Sequence, residues 1–280
     1  LRTSYFDIPE RIQAQFASIS ACVDDLLIFS DVEDTIAGHP VYDVLADLPA
    51  SYRMGNPEFA NYTRMHELYD RGTLRKGDAR AYRLDGWVMD KFKFLPMVER
   101  AWAMRPHKPW YFFYESDTYV VWDNLFRLLE NLDANTPFYI GSPSPGGLKN
   151  EEKSHFAYGG SGFILSQAAM VKLLHRQVGQ DGDYLEGPLS QRWEDRVRHD
   201  CCGDAVLGWA LLHAGIRVSG FWPMINPYPL DRIPYSSGHW CQPVLTLHKT
   251  EPEEMVKLWQ WEQSRRERSV GSTLWFGALT

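Results

Sequence analysis

The stretch from Trp110 to Val120, WYFFYESDTYV, constrains the fold of this chain more than any other. Five consecutive aromatic residues leave no polar face for a helix, so the pattern predicts a buried β-strand. The run stops at two carboxylates, Glu115 and Asp117. In an open α/β sheet the ligand crevice lies beyond the carboxyl ends of the strands, so we expect both side chains to face it. Carboxylate oxygens suit Mg²⁺ or Mn²⁺, which can hold a diphosphate, and this indicates a nucleotide-linked substrate.

Composition narrows the class of protein. The chain has 280 residues, of which 44% are hydrophobic and 14% aromatic, so it can bury a substantial core. Its net charge of −7 and the lack of a basic block argue against nucleic acid as a partner. No apolar run approaches the roughly 18 residues that span a bilayer, and the first residues do not resemble a signal peptide.

The chain opens at Leu1, within a strand-like pattern, so we expect an N-terminal anchor and the beginning of a first strand to be missing. The four cysteines allow three pairings, and four thiols in a cytosolic enzyme remain an alternative. They are Cys22, Cys201, Cys202 and Cys241. A glycosylation sequon at Asn61-Tyr62-Thr63 weakly favours the secretory pathway.

Hydrophobic periodicity predicts an α/β domain. Helical spacing occurs at about 8–20, 84–102, 123–132, 166–175 and 204–215, with Asp123 and Ser166 as N-caps. Short apolar runs predict strands at 26–29, 110–115, 138–140, 218–221 and 244–247, and a glycine-rich pair of strands at 156–165. We expect residues 35–80 to form a long polar excursion and 141–152 a loop long enough to be a lid. Strands alternating with helices predict a mainly parallel central sheet flanked by helices, in one domain over 1–280.

Four motifs follow one another along the second half of the chain: WYFFYESDTYV at 110–120, YGGSGFILS at 158–166, CGDAVLG at 202–208, and Trp240-Cys241 through Leu247-His248. They resemble the inverting β-1,3-glycosyltransferases of the GT-A fold, the superfamily of Fringe and the core 1 galactosyltransferases, most closely its fungal branch. The family counterparts are a strand with Asp-Asp-Asp-Thr-Tyr-Val, Gly-Gly-Ala-Gly-Tyr-x-Leu-Ser, Glu-Asp-Val-x-x-Gly, and a closing strand with a histidine. The resemblance implies a Rossmann-like GT-A domain with a nucleotide-binding half, 1–109, and a metal, base and acceptor half, 110–280.

The same resemblance assigns roles to residues. Asp117 and His248 are the expected metal ligands, with Glu115 nearby, and Asp204 is the expected catalytic base. Glu115 and Ser116 stand where the family has Asp, which bears on the sugar donor and on the tightness of metal binding. Simpler interpretations remain open: a turn cap for Asp117, an ordinary histidine for His248, and for Asp204 an acid that favours the helix dipole.

Further residues are candidates for substrate binding. The expected nucleotide and donor contacts are Thr3, Asp31, Asp85, Lys91, Glu115, Ser116, Gly159 and Gly160. Gly162 belongs to the same glycine motif, where the absence of a Cβ permits close approach. Trp222 and Trp240 are candidates for stacking on an acceptor sugar, with core packing as the alternative. A disulfide between Cys202 and Cys241 would brace the site.

The resemblance implies a Golgi enzyme, anchored in the membrane in its full-length form. It would transfer galactose, or else N-acetylglucosamine, from UDP to a glycan or glycoprotein hydroxyl in a β-1,3 linkage, with Mn²⁺ or Mg²⁺. One alternative is a glycoside hydrolase that uses Glu115 and Asp204 as its two carboxylates. Another is a carbohydrate-binding homologue that has lost catalysis, which the altered residues Glu115 and Ser116 keep open.

Overall fold

A computed structural model describes residues 1–74, 86–149 and 152–267 of the chain. Its strands are β1 Ile28–Ser30, β2 Asp34–Ile36, β3 His39–Asp43, β4 Trp110–Phe113, β5 Tyr119–Val120, β6 Tyr139–Gly141, β7 Pro143–Lys149, β8 Glu152–Ala157, β9 Phe163–Ser166, β10 Val218–Gly220, β11 Ile225–Asn226 and β12 Thr246–Leu247. Its helices are α1 Gln13–Phe16, α2 Phe59–Asp70, α3 Gly86–Met104, α4 Trp122–Glu130, α5 Gln167–Leu174, α6 Leu189–Arg192, α7 Glu194–His199, α8 Gly203–His213, α9 Ser237–Trp240 and α10 Pro252–Glu267. The predicted α/β class is confirmed.

The first residues of the chain pair as a strand, as their pattern predicts. Arg2 forms parallel bridges with Phe29 in β1 and with Glu115 just beyond β4. The main-chain N–H of Arg2 donates to Tyr114 O at 2.8 Å, and that of Thr3 donates to Phe29 O at 2.9 Å. The chain start thereby joins the β1-β3-β2 sheet to β4 and places residues 1–3 beside the predicted carboxylates.

The remaining strands form mixed sheets. In the order β10-β6-β9-β4, the β10–β6 pair is parallel, whereas β9 is antiparallel to both of its neighbours. The strand pairing therefore does not support the prediction of a mainly parallel sheet. The physical reason is that the chain enters β9 directly from a hairpin, through the short 3₁₀ turn Gly159–Ser161, and not through the helical crossover that parallel strands require.

The predicted lid at 141–152 is also wrong for its described residues, because β7 and β8 pair there as an antiparallel hairpin. A Cβ on Gly146 would lie 2.1 Å from Ser154 Oγ, so glycine lets the two strands approach. A second hairpin, β2–β3, lies inside the predicted polar excursion. Both hairpins contain Pro and Gly, residues that lower the strand signal of a sequence.

Helix α8 lies at the centre of the core and is buried from Gly203 to Leu211. It packs against α3, where a Cβ on Gly203 would lie 2.3 Å from the carbonyl oxygen of Lys91. This near contact of main chains fixes the start of α8, and with it the position of Asp204 in the first turn.

Two predicted helix caps differ in outcome. Ser166 caps α5, because its Oγ accepts a hydrogen bond from Ala169 N at 3.1 Å. Asp123 does not cap α4; its carboxylate pairs with Arg266 of α10 at 3.0 Å, so a tertiary ion pair replaces the local bond.

Among the described residues, no helix has both the length and the apolar character that crossing a membrane requires.

Candidate active site

The predicted metal ligands converge. Glu115, Asp117 and His248 each offer a ligand atom, and these atoms lie within 4.8 Å of one another. The two acids stand in the turn between β4 and β5, which Thr118 closes by accepting from Glu115 N at 3.1 Å. His248 follows β12, whose antiparallel pairing with β5 sets Leu247 opposite Tyr119. One strand pairing thus carries a histidine 131 positions away in sequence to the acidic turn (248 − 117).

The donor set suits a divalent cation. Asp117 Oδ1 is buried and has no hydrogen-bond partner, with His248 Nε2 at 3.5 Å. A buried carboxylate oxygen without a partner is costly, and a cation would satisfy it. Two carboxylates and an imidazole are ligands that Mn²⁺ accepts, and carboxylates alone also suit Mg²⁺. Asp117, His248 and Glu115 are therefore the residues that would hold the ion.

Two arginines adjoin the same carboxylates, and the sequence did not indicate either. The buried Arg2 donates from Nη2 to Glu115 Oε1 and pairs with Asp90 Oδ1 at 3.4 Å. Arg11, on the short helical turn Ile8–Ile12, places Nη1 3.3 Å from Asp117 Oδ2. The one available signal was Arg2 itself, a charged residue in a stretch otherwise predicted to be a buried strand end.

Asp204, the predicted base, is buried and held by two main-chain donors. Its Oδ2 accepts from Gly159 N at 2.9 Å, and its Oδ1 accepts from Ala205 N at 2.9 Å. Burial raises the pKa of the Asp204 carboxyl, against the opposing effects of the Gly159 hydrogen bond and of the Arg2 charge. The carboxylate is therefore fixed in direction and more basic than an ordinary aspartate.

The glycine motif joins this base to the metal cluster, the name used here for the group of candidate ligands Glu115, Asp117 and His248. Gly159 binds Asp204, and its neighbour Gly160 lies against His248 and accepts a hydrogen bond from Thr118 Oγ1 at 2.8 Å. Gly162, with a φ of +83°, lies against Phe112 of β4, where a Cβ would stand 2.9 Å from the ring. The first two glycines thus adjoin the site, whereas Gly162 serves the packing of the strands.

The predicted nucleotide residues near the chain start lie in one buried network. Lys93, fully buried, bonds Asp31 Oδ2 at 2.7 Å and the carbonyl oxygen of Thr3 at 3.2 Å. Ser116 is buried and donates its N–H to Arg2 O at 3.1 Å. These contacts place Thr3, Asp31 and Ser116 beside the site, and their role toward a nucleotide stays a prediction.

Lys91 lies away from this network. Its Nζ pairs with Glu58 at 2.9 Å and bonds the carbonyl oxygens of Arg198 and Asp200, so it ties α3 to the end of α7 and to the loop before α8. Asp85, the remaining candidate for nucleotide binding, lies outside the described residues.

The acceptor candidates are exposed: Trp222 by 44% and Trp240 by 52%. Trp222 packs edge-on against His239 with ring centroids 4.7 Å apart. The expected Cys202–Cys241 disulfide is wrong, since Cys202 bonds its neighbour Cys201 and Cys241 is an exposed free thiol, as is Cys22. Cys241 follows the short helix α9.

These features define an α/β protein with a candidate cation site at the carboxyl end of β4, next to a buried carboxylate. A model of the family described as Fringe-like matches residues 91–219, which include Glu115, Asp117, the glycine motif and Asp204. The chain is also similar to the Xenopus laevis protein Glycoprotein-N-acetylgalactosamine 3-beta-galactosyltransferase 1, with 35% identity over 65 residues.

That alignment covers 23% of this chain and 17% of the relative. The family match and this relative together confirm the resemblance to the superfamily of Fringe and the core 1 β-1,3-galactosyltransferases, and the fungal branch stays a prediction. His248 lies beyond the matched residues, and the pairing of β12 with β5 brings it to the family segment.

Proposed function

We propose that this protein is a metal-dependent inverting glycosyltransferase. It transfers galactose, or alternatively N-acetylglucosamine, from a UDP-sugar to a hydroxyl of a glycan or glycoprotein in a β-1,3 linkage. The observation that carries the proposal is the convergence of Glu115, Asp117 and His248 within 4.8 Å, joined through the glycine motif to the buried Asp204. The similarity to a Fringe-like family and to a galactosyltransferase supports it.

A bound Mn²⁺ or Mg²⁺ would supply Lewis-acid stabilisation of the leaving diphosphate. Asp117, His248 and Glu115 would hold that ion. Arg2 fixes Glu115 from beneath the site, since its guanidinium binds Oε1 and rests 4.4 Å over the ring of Phe94. Glu115, although longer than the family's Asp, is thus held in one orientation rather than left to its own rotamers.

Asp204 takes the proton of the acceptor hydroxyl in this scheme. Inversion requires a base facing the anomeric carbon from the side opposite the leaving group, within about 3 Å of the attacking hydroxyl. The two main-chain N–H groups at 2.9 Å aim the carboxylate, and burial raises its pKa, which favours proton uptake. The Arg2 charge opposes this rise and so favours the ionised form that a base needs before each turnover.

The partners and the compartment follow from the resemblance. We propose a UDP-sugar donor, a glycan or glycoprotein acceptor that stacks on Trp222 and Trp240, and the Golgi lumen as the place of action, with a membrane anchor in the full-length protein. The exposure of both indole rings supports the acceptor role, because an aromatic face matches the apolar face of a pyranose.

One observation favours a second candidate, a carbohydrate-binding homologue without catalysis. Arg2 already pairs with Glu115, and Arg11 pairs with Asp117 at 3.3 Å. The two guanidinium groups therefore neutralise the carboxylate charges that would otherwise attract a metal ion. In that case Mn²⁺ and UDP would leave the melting temperature unchanged, because a ligand that does not bind the folded state cannot stabilise it.

A UDP-release assay with UDP-galactose and UDP-N-acetylglucosamine, a panel of glycan acceptors, and added EDTA tests the proposal. We expect acceptor-stimulated release that EDTA abolishes, and that is lost in Asp204→Asn but retained in Asp181→Asn, a matched change at an exposed site. Turnover that resists EDTA would refute the metal assignment. Hydrolysis of a glycan without any nucleotide would instead favour the glycoside hydrolase.

A further inference from the structure

Tyr158 stands at the junction between the metal cluster and the base. The residue immediately precedes the 3₁₀ turn Gly159–Ser161, and its main chain is fixed on both sides. Its N–H donates to Ser142 O at 2.8 Å, and its carbonyl oxygen accepts from Ser161 Oγ at 3.0 Å. The direction in which its side chain leaves the backbone is therefore set by the glycine motif itself.

The side chain of Tyr158 touches the candidate metal ligand His248, and its chain neighbour Gly159 touches the candidate base Asp204. Its ring meets His248 edge to face, with centroids 5.4 Å apart and planes at 70°. The next residue, Gly159, donates its N–H to Asp204 at 2.9 Å. A sugar whose diphosphate lies at the metal cluster and whose anomeric carbon faces Asp204 must span these two points, and Tyr158 lies between them.

Tyr158 is half-buried, so part of its side chain remains open to a ligand. A phenol hydroxyl can donate a hydrogen bond, whereas the ionised carboxylates of Glu115, Asp117 and Asp204 can only accept one, so Tyr158 supplies a donor at this site.

We propose that Tyr158 contacts the transferred sugar, its ring packing against the apolar face of the pyranose and its hydroxyl donating to a sugar oxygen. The inference rests on the proposed transferase function. A ring that already packs against His248 is pre-organised for such a contact, and a phenol supplies both an apolar face and a polar tip. Tyr158 would then distinguish a sugar nucleotide from the nucleotide alone.

The rival role for Tyr158 is to support His248 without touching substrate. The two roles differ in what they do to UDP, which binds through the metal but carries no sugar. A sugar contact affects UDP-sugar affinity and leaves UDP affinity unchanged, whereas a support for His248 affects Mn²⁺, UDP and UDP-sugar alike.

Calorimetric titration of Tyr158→Phe and Tyr158→Leu in the presence of Mn²⁺ separates these roles. We expect Phe to weaken the binding of UDP-galactose or UDP-N-acetylglucosamine about 3- to 10-fold, the size of one lost hydrogen bond, with UDP unaffected. We expect Leu, which also loses the ring, to weaken it by about 10-fold or more. Tyr184→Phe, at an exposed tyrosine that stacks on Arg176, is the matched control.

The outcomes distinguish the two proposals. Suppose that the wild-type protein binds both UDP and UDP-sugar, and that both Tyr158 variants keep the wild-type ratio of the two affinities. This result would overturn the role of Tyr158 and leave the transferase function standing. A parallel fall in Mn²⁺, UDP and UDP-sugar binding would overturn it as well, in favour of support for His248. Wild-type protein that binds neither UDP nor either UDP-sugar would overturn the transferase function and the Tyr158 contact together.

Discussion

Gly160 lies so close to His248 that a Cβ added to it would stand 2.3 Å from Nε2 of the imidazole. The same glycine accepts a hydrogen bond from Thr118 Oγ1 at 2.8 Å, and Thr118 in turn closes the turn that carries Glu115 and Asp117. One residue without a side chain therefore sets the distance between the acidic turn and the histidine. The glycine motif is thus part of the metal cluster as well as a bend between strands.

Gly160→Ala should displace His248, because the new methyl group meets an imidazole ring that also packs against Tyr158. We expect Mn²⁺ affinity to fall by at least about 10-fold, with transfer activity falling in parallel. Melting temperature as a function of Mn²⁺ concentration measures the first effect. Gly147→Ala is the control, since a Cβ there meets nothing within 4 Å. Unchanged Mn²⁺ affinity in Gly160→Ala would contradict this account.

Asp204→Asn should lower kcat by about 10²- to 10⁴-fold, the usual contribution of a general base, and leave UDP binding intact. The amide keeps the size of the carboxyl group and can still accept from one of the two main-chain donors. Titration with UDP and single-turnover transfer separate binding from chemistry. Full activity in this variant would exclude Asp204 as the base.

The pH profile provides an independent check on the same residue. Because burial raises the pKa of Asp204, its carboxylate is protonated over a wider acidic range than that of an ordinary aspartate. We expect kcat/KM to rise with pH through an apparent pKa above the usual value near 4 and then to level off. Measurement of kcat/KM between pH 4 and pH 8, in buffers that bind Mn²⁺ only weakly, tests this. A flat profile down to pH 4 would show that Asp204 does not limit the rate.

Lys93→Met should destabilise the protein without adding a steric clash. Lys93 is fully buried and bonds the buried Asp31 at 2.7 Å, so its removal leaves a buried carboxylate without its cation, whereas Asp90 keeps its pair with Arg2. Breaking a buried pair in this way costs about 3–5 kcal/mol. Urea denaturation measures the free energy of unfolding, with Lys257→Met at an exposed pair with Glu253 as the control. A loss under about 1 kcal/mol in Lys93→Met would contradict the prediction.

His66 should make stability depend on pH near neutrality. Burial acts to lower its pKa, but hydrogen bonds to Asp43 and to the Asp31 carbonyl outweigh this, and the net shift is upward. A raised pKa means that His66 contributes stability fully below its unfolded value, about 6.5, and that this contribution is lost as the pH rises through the folded value. We expect the melting temperature to fall over this window and the fall to shrink in His66→Gln. An equal fall in both proteins would exclude His66 as the cause.

Several local features of the site could be predicted from the sequence. The aromatic run before Glu115 and Asp117 forms β4 over Trp110–Phe113, because aromatic side chains favour strands. Ser166 caps its helix and Asp204 opens α8, because caps and first turns depend on residues only a few positions apart. Such features need only neighbouring residues, and neighbours are what a sequence shows directly.

Other features depended on partners that are distant in sequence. Asp123 has the residue type of an N-cap but pairs with Arg266 of α10, far along the chain. The hairpin β7–β8 formed where the Pro and Gly content indicated a loop, because its strands are stabilised by pairing with each other. In both cases a contact with another segment of the chain outweighed the local preference.

The sequence by itself determined which chemical groups the site contains: two carboxylates after a buried strand, a glycine motif, an acid opening a helix, and a histidine after the closing strand. Only the tertiary structure decided that these groups meet, and that Arg2 and Arg11 stand among them. The physical reason is that the meeting depends on the pairing of β12 with β5 and on the insertion of residues 1–3 between β1 and β4. Main-chain hydrogen bonds of this kind are nearly independent of residue type, so a single sequence does not reveal which strands they join.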